Sequence, residues 1–254
     1  MAFYPGNGIT LRQIVSMELL KSLSYLLVIV TLSFFSCQPS GGDNRTEDGT
    51  EGQQTTQGSV STPTQKDTAK ILEDYDNTNR VVWQKPEVVI DLLGNLEGKT
   101  VADIGAGTGF FAFRMAPKAK KVIAIDIDPR FVSYLDSLKS FELPEEVQGK
   151  LEARLALPND PKLAPGEADI VIIVNTFMYI KDQVSYLENL KRSLSDGGML
   201  LIIDFKKKRT PLGPPSQIRV PLFEVEEKLI SAGYREVETN DTALDYQYIV
   251  TARK

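Results

Sequence analysis

The segment Lys99–Ala116 reads KTVADIGAGTGFFAFRMA and decides the fold class. It predicts a short apolar strand followed by three glycines, Gly105, Gly107 and Gly109, and then by a helical pattern. Glycines at such a junction let the backbone turn sharply and approach a ligand closely. The start of the following helix offers unpaired N–H groups to an anionic group. The segment therefore predicts a ligand site between a strand and a helix, with a tight turn that binds nothing as the alternative.

Two aspartates beside the glycine loop favour one class of ligand over another. The glycine spacing is G-x-G-x-G, whereas dinucleotide sites carry G-x-G-x-x-G. Asp103 precedes Gly105 and would repel a pyrophosphate, but it suits a ligand that carries an ammonium and a sulfonium. Asp126 ends the next strand in VIAIDIDP, where its carboxylate can accept from both hydroxyls of a ribose. Asp126 could instead cap the following helix, although Asp128, directly before Pro129, is better placed for that.

Strand and helix patterns alternate along the rest of the chain. The predicted buried strands are Thr100–Ile104, Lys121–Ile125, Leu151–Leu155, Ile170–Asn175 and Met199–Phe205. Helical patterns between them lie around Phe110–Ala116, Arg130–Ser140 and Val184–Leu194. After Phe205 the pattern becomes a helix, Phe223–Ala232, and a strand pair, Tyr234–Thr239 and Tyr246–Ala252. This order predicts a doubly wound α/β fold with a seven-stranded, mostly parallel sheet and a C-terminal antiparallel strand.

Three blocks carry a resemblance to a known family. VADIGAGTGFF, VIAIDIDP and ADIVIIVNTFMYI occur in the order and at the spacing typical of class I S-adenosylmethionine (SAM)-dependent methyltransferases. The chain resembles this family from about Val81 to Lys254. The resemblance implies a Rossmann-like sheet and SAM as the cofactor. It also implies that the glycines wrap the methionine part, that Asp103 meets its amino group directly or through water, and that Asp126 holds the ribose.

The resemblance implies a further cofactor contact after the third strand. An acidic or polar residue there usually contacts the adenine amine in this family. Asp160 in LPNDP occupies that place, and Asn159 is a competitor. The alternative for Asp160 is a plain turn residue beside Pro161.

The acceptor side of the site is expected where the fourth strand ends. Asn175 lies where the floor of the family's site and the substrate meet, with a simple strand terminus as the alternative. Tyr179 in the run Phe177–Tyr179 is the candidate for substrate contact, whereas core packing of all three residues is the competing interpretation. Trp83 either covers the cofactor or anchors the N-terminal segment to the core.

Histidine is absent, and Cys37 is the single cysteine. These facts exclude a Ser-His-Asp triad, an imidazole base, a histidine-ligated zinc site and a disulfide framework. No metal site is expected. The formal charge of −5 argues against nucleic acid as a partner, because phosphate contacts need a basic face. Methyl transfer remains compatible with this composition, because alignment of the reacting groups supplies most of the effect.

The N-terminal region predicts export to the cell envelope. Leu19–Phe35 is apolar, Lys21 lies at its start, and Ser36 and Cys37 follow it. This pattern resembles the lipoprotein signals of Gram-negative bacteria, in which the cysteine is acylated. An uncleaved membrane anchor is the alternative, because the run approaches the roughly 20 residues that span a bilayer. Met17 offers a second translation start.

The predicted organisation has three parts. Residues 1–37 form a leader and a lipoprotein-type signal, residues 38–66 a flexible linker rich in Gly, Ser, Thr and Gln, and residues 67–254 the methyltransferase domain. The predicted location is therefore the envelope, with a lipid-anchored domain that faces the periplasm.

The leading functional hypothesis is a SAM-dependent methyltransferase with a small or lipid-like acceptor. The alternative is a catalytically weak SAM-fold binding protein at the envelope, since SAM is made in the cytoplasm and an exported domain has no obvious supply. An NAD-dependent oxidoreductase is disfavoured by the glycine spacing and by Asp103.

The lipid anchor is testable in cells. We expect palmitate to label the wild-type protein and the Cys37→Ala variant to lose that label, because acylation needs the thiol. Processing should also be sensitive to globomycin. Equal labelling of the two proteins would contradict the lipoprotein prediction and leave the uncleaved anchor.

Overall fold

A computed structural model describes residues 80–254. The predictions for the signal, for Cys37 and for the linker fall outside the described residues. Within residues 80–254, no helix is both long and apolar enough to cross a membrane.

Seven strands and seven α-helices follow one another along this part of the chain. The strands are β1 (Thr100–Ile104), β2 (Lys121–Asp126), β3 (Leu151–Leu155), β4 (Ala168–Val174), β5 (Leu194–Phe205), β6 (Arg235–Asn240) and β7 (Gln247–Arg253). The helices are α1 (Arg80–Gln84), α2 (Pro86–Leu92), α3 (Ala112–Met115), α4 (Pro129–Glu142), α5 (Glu145–Gln148), α6 (Gln183–Ser193) and α7 (Leu222–Ser231). Short 3-10 turns occupy Phe177–Tyr179 and Ser216–Ile218.

All seven strands form one sheet in the order β3-β2-β1-β4-β5-β7-β6. The first five strands of this order are parallel, whereas β7 pairs antiparallel with both β5 and β6. The predicted fold class, including the antiparallel C-terminal strand, is confirmed. Chain order reverses between β1 and β4, and open α/β sheets bind ligands beyond the carboxyl ends of their strands at such a point.

Apolar side chains cover both faces of the sheet. Successive residues of β1, such as Val101 and Ala102, belong to two different buried clusters, as the twofold side-chain period of a strand requires. Helices α6 and α7 contribute to one cluster, and α2, α3 and α4 contribute to the other. The result is a layer of helices on each side of a buried parallel sheet.

β1 and β3 have the predicted bounds, β2, β6 and β7 differ from the prediction by one residue at their ends, and β4 and β5 differ for a structural reason. β4 stops at Val174, because Asn175 has φ 57° and leaves the extended conformation. β5 begins already at Leu194, and its pairing with β4 shifts register between Ala168 and Ile170. Gly197 and Gly198 therefore lie inside β5 at that irregularity. A bulge of this kind inserts residues that a sequence pattern does not reveal.

Gly109 is required by packing as well as by backbone conformation. Its φ is 83°, and a Cβ there would lie 2.6 Å from the buried Leu135 side chain and from the Phe113 ring. Gly94 also has a positive φ, 72°, but a Cβ there would meet nothing within 4 Å.

We expect Gly109→Ala to lower the free energy of unfolding by about 2–4 kcal/mol, since left-handed strain and overpacking add. Gly94→Ala is the matched control and should cost about 1–2 kcal/mol from strain alone. Urea unfolding of both variants measures the difference. Equal costs would contradict the tight packing of the loop against α4.

Candidate functional site

A cavity of about 390 Å³ opens beyond the carboxyl ends of β1, β2 and β4. The predicted site residues that line it are Gly105, Gly107, Asp126, Asn175 and Tyr179. The lining does not include Asp103, Gly109 or Asp160. The tertiary structure thus brings most of the predicted residues together at the point where the strand order reverses.

The glycine loop folds back across the end of β2. The N–H groups of Gly105 and Ala106 both donate to the Ile125 carbonyl, at 2.8 and 2.9 Å. A Cβ on Gly105 would lie 2.3 Å from Thr176 Oγ1, so the loop also lies directly against the segment after β4. Gly107, with φ 54°, has open space where a Cβ would stand. Its backbone is therefore accessible to a ligand in the cavity.

Asp126 links the loop to the end of β2. It is buried, and its Oδ2 accepts from the Gly107 N–H at 2.9 Å while Oδ1 accepts from the Asp128 N–H at 3.0 Å. Burial raises the pKa of Asp126, and these backbone hydrogen bonds oppose the rise. An ionised carboxylate offers about four lone pairs, so both oxygens can accept further bonds. Such a group can hold the two hydroxyls of a ribose.

Asp128 performs the capping role that was considered for Asp126. Its Oδ1 accepts from the Arg130 N–H at 2.9 Å at the start of α4, where Pro129 occupies the first turn. The helix is therefore capped without Asp126.

Asp103 lies behind the cavity and not at its surface. Burial raises its pKa to about 7, the Arg80 guanidinium lowers it, and the charge of Asp126 raises it further. The contact predicted between Asp103 and the amino group of the cofactor, directly or through water, stays a prediction.

Arg80 is a cavity residue that the sequence analysis missed. Its guanidinium carbon lies 4.2 Å from the centroid of the Phe110 ring, and burial lowers its pKa to about 10. It lines the cavity from α1, far from the glycine loop in sequence. No local motif surrounds it, so only the tertiary structure reveals its place.

Asp160 is engaged in its own loop. Its Oδ1 accepts from the Lys162 N–H at 2.8 Å, and its Oδ2 pairs with Lys162 Nζ at 2.8 Å. Leu157 and Pro158 line the cavity in its place. This geometry favours the turn role for Asp160, and its predicted adenine contact stays a prediction.

The segment after β4 divides between core and cavity. Phe177 and Met178 are buried, whereas Tyr179 is 60% exposed and lines the cavity. The Asn175 N–H donates to the Ile203 carbonyl at 2.8 Å, which holds the floor against β5. Core packing thus accounts for two residues of the run, and Tyr179 is available for substrate.

Trp83 packs α1 against the core of the domain. It is buried, and its ring lies 5.5 Å from that of Phe205, centroid to centroid. It does not line the cavity, so the geometry favours the anchoring interpretation over the cofactor cover.

Comparison with known proteins identifies the family. The model of a methyltransferase domain family matches residues 95–245, more than half of the chain. The chain belongs to this family. A relative from Mycobacterium tuberculosis, described as a probable S-adenosylmethionine-dependent methyltransferase, is 27% identical over 174 residues. The match covers 66% of this chain and 60% of the mycobacterial protein, so the chain spans somewhat under two thirds of that relative's length.

Solved structures agree with this assignment. A SAM-dependent methyltransferase from Aquifex aeolicus is 29% identical, with a TM-score of 0.65 over 73% of this chain and 97% of that one. Phosphoethanolamine N-methyltransferase 2 of Haemonchus contortus, solved with SAM, shares the fold at 15% identity and a TM-score of 0.56, covering 68% of this chain and 52% of its own. SAM is therefore the cofactor of this methyltransferase domain.

The cavity residues fit this cofactor. Gly107 leaves room for close backbone approach, and Asp126 offers paired acceptors for a diol. Arg80 adds a cationic group at the same cavity, which suits the carboxylate of an amino acid.

Asp103 should make stability depend on pH. Its pKa is about 7 in the folded protein and near the ordinary 3.8 in the unfolded chain. Its stabilising effect is therefore complete below pH 3.8 and is lost as the pH rises through about 7. We expect the free energy of unfolding to fall across this range, and to fall less in Asp103→Asn.

Urea unfolding at pH 5 and pH 8 measures this difference. The same change in the free energy of unfolding is measured for the Asp204→Asn variant as a second comparison, because burial also raises the pKa of Asp204 well above its usual range. If the free energy of unfolding of Asp103→Asn fell between pH 5 and pH 8 as much as that of the wild type, the pH dependence could not be assigned to Asp103.

Proposed function

We propose that the protein transfers a methyl group from SAM to a small or lipid-like acceptor. One observation carries the proposal: a single cavity joins the glycine loop and Asp126 to an acceptor side formed by Asn175 and Tyr179. The family match favours this activity over the alternative of a catalytically weak binding protein. The methyltransferase domain supports this proposal for the reaction of the whole protein, because the match covers only 60% of the mycobacterial relative.

Bound SAM supplies a methyl group on a sulfonium, so a nucleophile can form its bond to the methyl carbon while the S–C electron pair remains on sulfur. The residues of the chain orient the reactants. Asp126 and the Gly107 backbone would hold the nucleoside and methionine parts, and Arg80 would pair with the carboxylate. Asn175 and Tyr179 would border the acceptor.

The protein's residues have a limited role in proton transfer. Burial, together with the charge of Asp204, raises the pKa of Tyr179, so its phenol stays protonated at neutral pH and acts as a hydrogen-bond donor. A proton released by the acceptor therefore passes to water. This is compatible with catalysis by alignment, which needs no strong base.

The envelope location is a separate proposal. It is supported by the apolar run before Cys37, and the labelling experiment with Cys37→Ala tests it.

Calorimetry with the full chain tests the cofactor side. We expect binding of SAM and of S-adenosylhomocysteine, and none of NAD. Asp126→Ala should weaken SAM binding by about tenfold to a hundredfold, because two charge-assisted hydrogen bonds are lost. Asp160→Ala is the matched control, and its affinity should stay within roughly twofold because its carboxylate faces Lys162.

Each outcome bears on a different part of the proposal. No binding of either adenosyl compound by the wild type would sink the proposed function. An Asp126→Ala affinity equal to that of the wild type would remove the ribose contact. A loss in Asp160→Ala as large as in Asp126→Ala would restore Asp160 to the adenine site.

A further inference from the structure

A chain of side-chain hydrogen bonds connects one wall of the cavity to its floor. Arg80 Nε donates to Gln84 Oε1, Gln84 Nε2 donates to Gln247 Oε1 at 3.2 Å, and Gln247 Nε2 donates to Asn175 Oδ1. Gln84 and Gln247 are fully buried, whereas Arg80 and Asn175 both line the cavity. We call these four residues the amide relay. It joins α1, β7 and the end of β4.

The direction of the relay is determined at the arginine end. A guanidinium N–H can only donate, so the Gln84 group that faces it must be the carbonyl oxygen. The Gln84 amide nitrogen then faces Gln247, which must accept through its own oxygen. By the same step, Gln247 donates to Asn175. The orientation of all three amides therefore follows from one obligate donor and does not depend on telling oxygen from nitrogen in any of them.

The last amide consequently presents its nitrogen to the cavity. Asn175 Oδ1 is already accepting from Gln247, and no described residue accepts from Asn175 Nδ2. The floor of the site thus offers a hydrogen-bond donor. Arg80, at the other end of the buried relay, determines this orientation of the Asn175 amide. Reversal of the amides would leave buried polar groups without hydrogen-bond partners.

We infer that the methyl acceptor is an oxygen nucleophile, such as a phenol, an alcohol or a carboxylate, and not an amine. This inference rests on the proposed methyl transfer. An oxygen has two lone pairs, of which one forms the bond to the methyl carbon and the other accepts from Asn175 Nδ2. An amine nitrogen has one lone pair, which the reaction consumes, so its N–H groups would face an amide N–H. In the balanced step, the S–C electron pair stays on sulfur and the hydroxyl proton passes to water.

Matched probes test the inference without turnover. The full chain, saturated with S-adenosylhomocysteine, is titrated with 1-naphthol and 1-naphthylamine, and with the smaller pair phenol and aniline. The members of each pair differ only in the hydroxyl or amino group, and all are uncharged at pH 7. We expect each hydroxyl compound to bind roughly tenfold more tightly than its amine twin. The side-chain amide signal of Asn175 in a ¹⁵N-labelled protein should shift when 1-naphthol is added.

Gln84→Glu is the decisive variant, because it reverses the relay from outside the cavity. A carboxylate at this position accepts from Arg80 and also from Gln247, which forces Gln247 to present its oxygen to Asn175. Asn175 then donates to Gln247 and shows its own oxygen to the cavity. We expect the preference to change to the amine of each pair. Gln84→Met interrupts the relay at similar volume, so Asn175 can adopt either orientation and the preference should shrink to within about twofold.

The outcomes separate this inference from the proposed function. Equal or tighter binding of the amines by the wild type, or no probe binding by protein that binds S-adenosylhomocysteine, would overturn the oxygen acceptor alone. If the Asn175 amide signal shifts with S-adenosylhomocysteine and not with 1-naphthol, Asn175 donates to the cofactor and not to the acceptor. That result would also overturn the oxygen acceptor. An unchanged preference in Gln84→Glu would show that the relay does not control the floor. Failure to bind S-adenosylhomocysteine at all would instead remove the methyltransferase proposal.

Discussion

The Asp126 carboxylate, which accepts from the Gly107 and Asp128 N–H groups, is the interaction on which the rest of the site depends. It joins the loop after β1 to the end of β2 and holds the start of α4 beside them. Because the carboxylate is buried and each of its oxygens accepts a backbone hydrogen bond, it is oriented before any ligand arrives. Preorganisation of this kind lowers the cost of binding, since little has to be ordered when the cofactor enters.

The electrostatics of the cavity follow from what surrounds that carboxylate. Asp103 and Asp126 place two acidic groups near each other in a buried region, and Arg80 in α1 offsets the charge of Asp103. Burial favours the neutral form of each carboxyl group, while Arg80 favours the charged form of Asp103. The result suits a ligand with both cationic and anionic groups, which the amino-acid end of SAM provides.

The described N-terminal and C-terminal elements also meet at the site. Trp83 anchors α1 beside Phe205, and Gln84 in the same helix contacts Gln247 in β7. The cavity wall that contains Arg80 is therefore connected to β7, the last strand along the chain. A buried polar network is stable only when all its hydrogen bonds run in one consistent direction. In the amide relay, this requirement determines which group Asn175 offers to the methyl acceptor.

The sequence by itself determined the fold class, the glycine loop and the carboxylate at the end of β2, because these depend on local patterns: buried strands, glycines with positive φ, and an acidic residue at a strand end. It also placed Asn175 and Tyr179 at the correct edge of the sheet. It did not reveal Arg80, the relay through Gln84 and Gln247, or the withdrawal of Asp103 and Asp160 from the cavity lining. Those features join residues as much as 163 positions apart or depend on which way one side chain turns. Only the packed tertiary structure decided them, since hydrogen-bond direction and burial are properties of neighbours in space.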